Sequence, residues 1–133
     1  LPELASISNM LEMLGRKPLE IIVYDNDRVE PHNVNKQKFH DSDIGEYKSE
    51  ILCARVNRAY GMGVVNKNRF FDAKDVNDDF NIIISCVDDL RTREFINQAV
   101  KDKERSDVKG SYVYNSGEYN KLYHWIDNFI FSW

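Results

Sequence analysis

The chain has 133 residues, about the length of one domain by the usual range of ~100–200, so we expect a single domain over residues 1–133. Its 42% hydrophobic and 12% aromatic residues can fill a core and its 30% charged residues favour solubility, which excludes a disordered class. A net charge of −4 and the lack of a run of ~20 apolar residues predict a cytoplasmic protein with no nucleic-acid partner and no membrane partner.

The first predicted element is an amphipathic helix from Leu4 to Leu14. Its apolar residues recur at steps of three and four: Leu4, Ile7, Leu11 and Leu14. Gly15 and Pro18 follow and supply a stop. The spacing predicts that the apolar side chains share one face of the helix.

A short strand is predicted from Leu19 to Tyr24. This run is almost unbroken in its apolar character and rich in β-branched residues, as expected for a strand covered on both faces. The acidic residues Asp25 and Asp27 follow directly after this strand. The following residues, from Arg28 to Asp41, are polar and lack periodicity, so they predict a long irregular loop. Loops of this length in a compact domain are usually functional.

A second helix is predicted to begin at Ser42 or Asp43 as its cap and to end at Gly61, which suits the C′ position. A glycine-broken turn follows it. The run Asn81–Val87 then predicts a second buried strand, which is finished by another acidic pair, Asp88 and Asp89.

The remaining elements are a helix, a strand and a mixed apolar segment. The helix is predicted from Leu90 to Lys101 and the strand from Tyr112 to Tyr114, with strand-like residues again from Leu122 to Phe131. Helices alternating with buried strands predict an α/β fold: a Rossmann-like, mainly parallel sheet with flanking helices. Ligands in such sheets bind outside the carboxyl ends of the strands, so we expect Asp25 and Asp88 to lie close together at one edge.

The two cysteines, Cys53 and Cys86, form no C-x-x-C pair and have no histidine at zinc-site spacing. We interpret both as buried thiols, the common environment of free cysteine.

Two segments resemble the signature of the superfamily of ThiF, MoeB and the ubiquitin-activating enzymes. The runs Asp25–Phe39 and Asp43–Lys48 are similar to that superfamily's pattern D-x-D-x-V-(x)-N-x-x-R-Q-x-F…D-I-G-x-x-K. The stretch Ser85–Asn97 is similar to its C-x-D-N…R…x-N stretch. Within the superfamily, the sequence most resembles the ThiF-like protein of the plasmid-borne PRTRC gene system, in its opening helix, in the segment Arg55–Gly61 and in the tryptophan-containing run Tyr123–Asp127. The resemblance to the superfamily signature covers roughly residues 1–100.

The resemblance implies a site for ATP and Mg²⁺. Asp25 matches the acid that holds the ribose, although a loop-capping role would explain it equally well from spacing alone. Asn33 and Lys36 match polar residues that line the phosphates, Lys48 matches the triphosphate lysine, and Asp88 matches the magnesium ligand. The implied catalytic residues are thus Lys36, Lys48 and Asp88, with Asp25 and Asn33 as further ATP ligands.

Lys36 departs from the pattern because the superfamily usually has arginine there. Lysine keeps the charge but loses the planar fork that grips two phosphate oxygens. Lys38 is either a second cation that shares this task or, as we favour, a solvated surface lysine. The resemblance implies adenylation of a carboxylate, commonly the carboxyl terminus of a small ubiquitin-like or sulfur-carrier protein, by a homodimer. The alternative is a catalytically silent ThiF-like module for dimerisation or partner binding. A dinucleotide-dependent oxidoreductase would use Asp25 but would not explain Lys48 and Asp88.

Both ends of the sequence have features of an interrupted chain. It begins at Leu1 inside a predicted helix and stops at Trp133, just after an apolar run that would be costly to expose. The acid of such sites follows the glycine turn by about 20 residues, so counting back from Asp25 places a glycine-rich phosphate loop at or just before Leu1. We therefore expect further residues beyond both ends.

Overall fold

The computed structural model describes residues 1–76, 80, 82–87, 89–104 and 112–115. The chain divides into two units, Leu1–Phe71 and Asp72–Trp133. We call them the first and the second unit and describe each by itself. The predicted segment from Leu122 to Phe131 lies outside the described residues.

The first helix, α1, spans Pro2–Met13 and confirms the predicted helix. Its fully buried residues, however, are Ala5 and Ser8. Of the predicted apolar face, Leu4 and Leu11 are half-buried, whereas Ile7 and Leu14 are exposed, so this face is confirmed only in part. Small residues allow the helix to approach the core closely. The Ser8 hydroxyl tolerates burial because it accepts a 2.9 Å hydrogen bond from the N–H of Leu19.

Two short parallel strands form the sheet of the first unit. Strand β1 spans Ile22–Tyr24 and strand β2 spans Val65–Lys67, with Ile22 opposite Val65. The exposure of Ile22 shows that the expectation of a strand covered on both faces is wrong. β2 is absent from the predicted elements because only one of its three residues is apolar. The core of this unit contains Ala5 from α1, Cys53 and Val56 from the second helix, and Val64, the residue before β2.

The second helix, α2, spans Lys48–Tyr60 and begins later than predicted. Residues Asp41–Asp43 form a separate 3-10 turn instead, in which the Asp43 carboxylate accepts a 2.7 Å hydrogen bond from the N–H of His40. A second 3-10 turn spans Pro31–Asn33. The polar segment predicted as an irregular loop, Arg28–Asp41, therefore contains one closed turn and leads into the other at its end.

The end of α2 has the predicted glycine cap. Gly61 has φ +68°, a left-handed conformation that disfavours any residue with a Cβ, and its N–H donates to the Asn57 carbonyl at 2.9 Å. We expect Gly61→Ala to lower the free energy of unfolding by about 1 kcal/mol. Gly63 is the matched control because it has open space for a Cβ and no positive φ. Chemical denaturation of both variants tests this, and equal unfolding midpoints would contradict it.

The second unit also contains a parallel pair of strands, which confirms the predicted strand direction. Strand β3 spans Ile82–Ser85 and strand β4 spans Tyr112–Asn115, with Ile82 opposite Tyr112. Ile83 and Ser85 are buried but Ile82 is exposed, so β3 also is not covered on both faces.

The helix α3 spans Leu90–Glu104. Asp89 begins it as a cap, since its Oδ2 accepts hydrogen bonds from the N–H of Thr92 at 2.8 Å and from the Thr92 hydroxyl at 2.6 Å. Cys53 is buried as predicted, but Cys86 is exposed just after β3, which corrects its interpretation as a buried thiol. No helix in the described part of the chain is long and apolar enough to cross a membrane.

Candidate functional site

The site begins where β1 ends. The N–H of Asp25 donates to the Lys67 carbonyl at 3.2 Å and so continues the pairing of β1 with β2 by one residue. Its Oδ1 accepts a 2.8 Å hydrogen bond from the N–H of Asp27, which turns the chain away from the sheet. The Asp25 carboxylate is therefore both fixed by the turn and half-exposed at the carboxyl end of β1.

Lys48, the first residue of α2, lies against this turn. Its N–H donates to the Asp27 carbonyl at 2.9 Å, and its Nζ lies 3.0 Å from Asp27 Oδ2. The Lys48 side chain is only 17% exposed, against 67% for Asp27. The structure thus brings two predicted site residues, Asp25 and Lys48, to one junction, with Asp27 between them.

A chain of hydrogen-bonded polar side chains, which begins at the buried Ser49 and ends at the exposed Glu50, supports the junction. The Ser49 hydroxyl is 1% exposed and lies 2.9 Å from Asn68 Oδ1 and 3.3 Å from the Asp25 carbonyl. The Asn68 oxygen also accepts from Asn66 Nδ2 at 2.9 Å, and the Asn68 amide donates to Glu50 Oε2 at 3.2 Å. These contacts connect β1, β2 and the start of α2. None of these supporting residues is singled out by the sequence, because the contacts of Ser49 with Asp25 and Asn68, and of Asn68 with Glu50, join residues far apart along the chain.

Arg28 and Tyr47 tie the acidic turn to the segment before α2. The two residues form an antiparallel bridge, and the Arg28 guanidinium lies 3.9 Å above the centre of the Tyr47 ring. Arg28 Nη1 also donates to the Gly45 carbonyl at 2.6 Å. The two motif segments recognised in the sequence are therefore neighbours in space.

Asn33 and Lys36 differ in their surroundings. Asn33 is 4% exposed, and its Oδ1 accepts a 2.9 Å hydrogen bond from the N–H of Glu30, so its side-chain oxygen stabilises the turn. Lys36 is exposed and makes no ion pair with any described residue. It follows Asn35, whose φ of 64° is the only positive value of a described residue other than glycine. Lys36 is thus presented on a tight turn.

Asp88, the predicted magnesium ligand, lies outside the described residues. Its expected closeness to Asp25 therefore stays a prediction. Within the described ranges, no group of three or more His, Cys, Asp or Glu residues could hold a metal ion. The assignment of Mg²⁺ to Asp88 therefore stays a prediction, and so do the roles of Asp25, Asn33, Lys36 and Lys48.

A family model with the description "ThiF family" matches residues 5–128, and the chain belongs to this family. It is 35% identical over 91 residues to the NEDD8-activating enzyme E1 catalytic subunit of Arabidopsis thaliana. That match covers 65% of this chain and 20% of the plant protein. The chain thus spans about one fifth of the length of this curated relative.

Two solved structures of E. coli MccB share the fold. The complex with MccA-N7isoASN has a TM-score of 0.56 and 21% identity, over 86% of this chain and 34% of MccB. The complex with ATP has a TM-score of 0.55 and 21% identity, over 85% and 34%. These similarities confirm the predicted Rossmann-like α/β fold with parallel strands.

Proposed function

We propose that the protein activates a carboxylate by ATP-dependent adenylation. The observation that carries this proposal is the junction at the end of β1, where the Asp25 carboxylate and the Lys48 ammonium lie on either side of Asp27. A strand-end acid suits ribose hydroxyls, and a sheltered lysine suits a triphosphate. The structure of MccB with ATP, in the same fold, also supports the proposal.

The proposed reaction joins two anions, which explains the demand for cations. A carboxylate oxygen attacks the α-phosphorus of ATP, and the bond from that phosphorus to the pyrophosphate oxygen breaks. The products are an acyl-adenylate and pyrophosphate. Lys48 would stabilise negative charge on the pyrophosphate and Lys36 on the phosphates. Mg²⁺ held by Asp88 would neutralise further charge on the triphosphate.

The proposed acceptor is the carboxyl terminus of a small ubiquitin-like or sulfur-carrier protein. Support comes from the NEDD8-activating enzyme among the relatives and from the MccB complex with MccA-N7isoASN. We further propose a cytoplasmic homodimer of the PRTRC ThiF-like branch. The branch rests on the opening helix and on a segment such as Arg55–Gly61, both of which resemble that branch.

The test of this function is ATP–pyrophosphate exchange by the full-length protein. With Mg-ATP, labelled pyrophosphate and a panel of small carrier proteins ending in a free carboxylate, label should enter ATP only when a suitable acceptor is present. Absence of exchange with every acceptor would instead support the silent ThiF-like module. The observation that favours this second function is Lys36, which is exposed and stands where the superfamily usually has arginine.

Lys36→Arg separates the two functions further. If Lys36 contacts the phosphates, arginine should keep the exchange rate or raise it by about fivefold, the equivalent of one added hydrogen bond of about 1 kcal/mol. Lys38→Arg is the matched control, because Lys38 is also exposed on the same segment. A gain seen equally in both variants would contradict a specific phosphate contact at Lys36.

A further inference from the structure

Arg55, on the second turn of α2, reaches back to the segment that follows Lys36. Its Nη2 lies 2.5 Å from Asp43 Oδ2, and its Nη1 donates to the Lys38 carbonyl. The two contacts hold both ends of residues 38–43 to one helix. Neither the superfamily signature nor the periodicity of α2 assigns a role to this arginine.

Asp43, one of the two residues that Arg55 contacts, carries a buried charge. Asp43 is 6% exposed, and its Oδ2 accepts from both His40 and Arg55. The N–H of His40, followed by the Arg55 guanidinium, holds the pKa of the Asp43 carboxyl below its ordinary value. Asp43 therefore stays charged at neutral pH, and its stabilisation is lost only as the pH falls through the lowered pKa. Removal of Arg55 would leave this carboxylate buried without its cation.

The segment 38–43, which Arg55 contacts at both ends, follows directly after the turn that carries Lys36. Phe39 is buried, and the N–H of Gln37 donates to the Asn33 carbonyl at 2.9 Å, so movement at residues 38–43 would be transmitted to residues 33–37. Arg55 lies on the same helix that begins with Lys48. Helix α2 thus begins with one proposed phosphate ligand, Lys48. Through Arg55 it also holds the segment that follows the other proposed phosphate ligand, Lys36.

We propose that Arg55 is a positioning residue, which fixes the location of Lys36 relative to Lys48 when ATP binds. This inference rests on the proposed adenylation. Arg55 does not contact the nucleotide itself; it acts through Asp43 and the Lys38 carbonyl. Its removal should therefore weaken ATP binding and misplace the phosphates, which distinguishes it from a residue that only stabilises the fold.

The test compares Arg55→Met with Arg58→Met in the full-length protein. Arg58 is the matched control because it is exposed on the same helix and makes no ion pair with a described residue. Arg55→Met should lower kcat/KM for ATP in the exchange assay by roughly 10- to 100-fold, with a raised KM for ATP and an unchanged KM for the acceptor. Arg58→Met should match the unmutated protein. Arg55→Lys keeps the charge but not both contacts, so it should be intermediate.

Limited digestion with trypsin gives a readout that does not need activity. Cleavage after Lys36 and Lys38 should be about tenfold faster in Arg55→Met than in Arg58→Met, since cleavage follows the population of locally opened chains. If the unmutated protein is active and both arginine variants behave alike, the inference is overturned and the proposed function stands. If the unmutated protein has no exchange activity, both are overturned. Should Arg55→Met fail to fold, Arg55→Lys decides by the same KM comparison.

Discussion

Lys48→Ala should reduce the rate of ATP–pyrophosphate exchange by about 10²–10³-fold, comparable to the removal of one oxyanion donor in other enzymes. The reason is that the proposed reaction expels pyrophosphate, and the charge of that leaving group needs a nearby cation. Lys48 is suited to this because its side chain is largely shielded from water, which strengthens its interaction with an anion. We expect the loss mainly in kcat rather than in the KM for the acceptor.

The structure also offers a second explanation, which the same assay can separate. Lys48 pairs with Asp27 at 3.0 Å, so its removal could act by releasing the acidic turn that holds Asp25. Asp27→Asn removes the charge of the partner but leaves the lysine in place. Because Asp27 is well exposed, the pair itself should contribute little, and Asp27→Asn should retain most of the activity. An equal loss in both variants would assign Lys48 a structural role instead.

A surface lysine near the site provides the control for charge alone. Lys67 is exposed, and its carbonyl accepts from the N–H of Asp25. Lys67→Ala removes one positive charge from the same end of the strands while leaving that backbone contact intact. Its exchange rate should stay within about twofold of the unmutated protein, as expected for a solvent-screened charge.

The fold class could be predicted from the sequence because most of the runs that form the parallel strands are short, apolar and rich in β-branched or aromatic residues. The run that contains β1, the run that contains β3 and the short β4 segment all show this pattern. β2 does not, since Val65 is followed by asparagine and lysine, and its pairing with β1 depends on tertiary contacts. Part of the buried face of α1 is missed for a related reason: Ser8 is buried through a hydrogen bond to Leu19 rather than through its own hydrophobicity.

The candidate site also combines residues that the sequence pattern identifies with residues that only tertiary contacts reveal. Asp25 and Lys48 stand out because they occupy fixed places in a recognisable pattern, and the structure places both at one junction. Ser49, Asn68 and Arg55 have no such signal, since each acts through a partner at least twelve residues away. The side-chain oxygen of Asn33, predicted as a ligand, already accepts from the backbone of its own turn. The pattern therefore identifies candidate ligands, whereas the contacts that orient them require the structure.

The change with the largest expected effect is Asp88→Asn, which should abolish magnesium-dependent exchange. Asp88 matches the magnesium ligand of the superfamily signature, and a carboxylate is the hard, charged oxygen ligand that Mg²⁺ prefers. The amide has nearly the same shape but no charge, so it would lose the attraction that holds the ion beside the triphosphate. We expect a loss of at least about 10³-fold at millimolar Mg²⁺, on the scale of the strongest single electrostatic contributions to catalysis.

The adjacent residue provides a stringent control for this prediction. Asp89→Asn removes the same charge from the next position in the sequence. Asparagine caps a helix about as well as aspartate, so the hydrogen bond that the N–H of Thr92 donates to residue 89 should persist. Asp89→Asn should therefore keep both its exchange rate and its dependence on Mg²⁺ concentration. For Asp88→Asn, any residual activity should require much higher Mg²⁺, because the lost carboxylate lowers affinity for the ion. If Asp88→Asn instead slows exchange with an unchanged Mg²⁺ requirement, Asp88 does not bind the metal, and the magnesium site must be sought at another carboxylate.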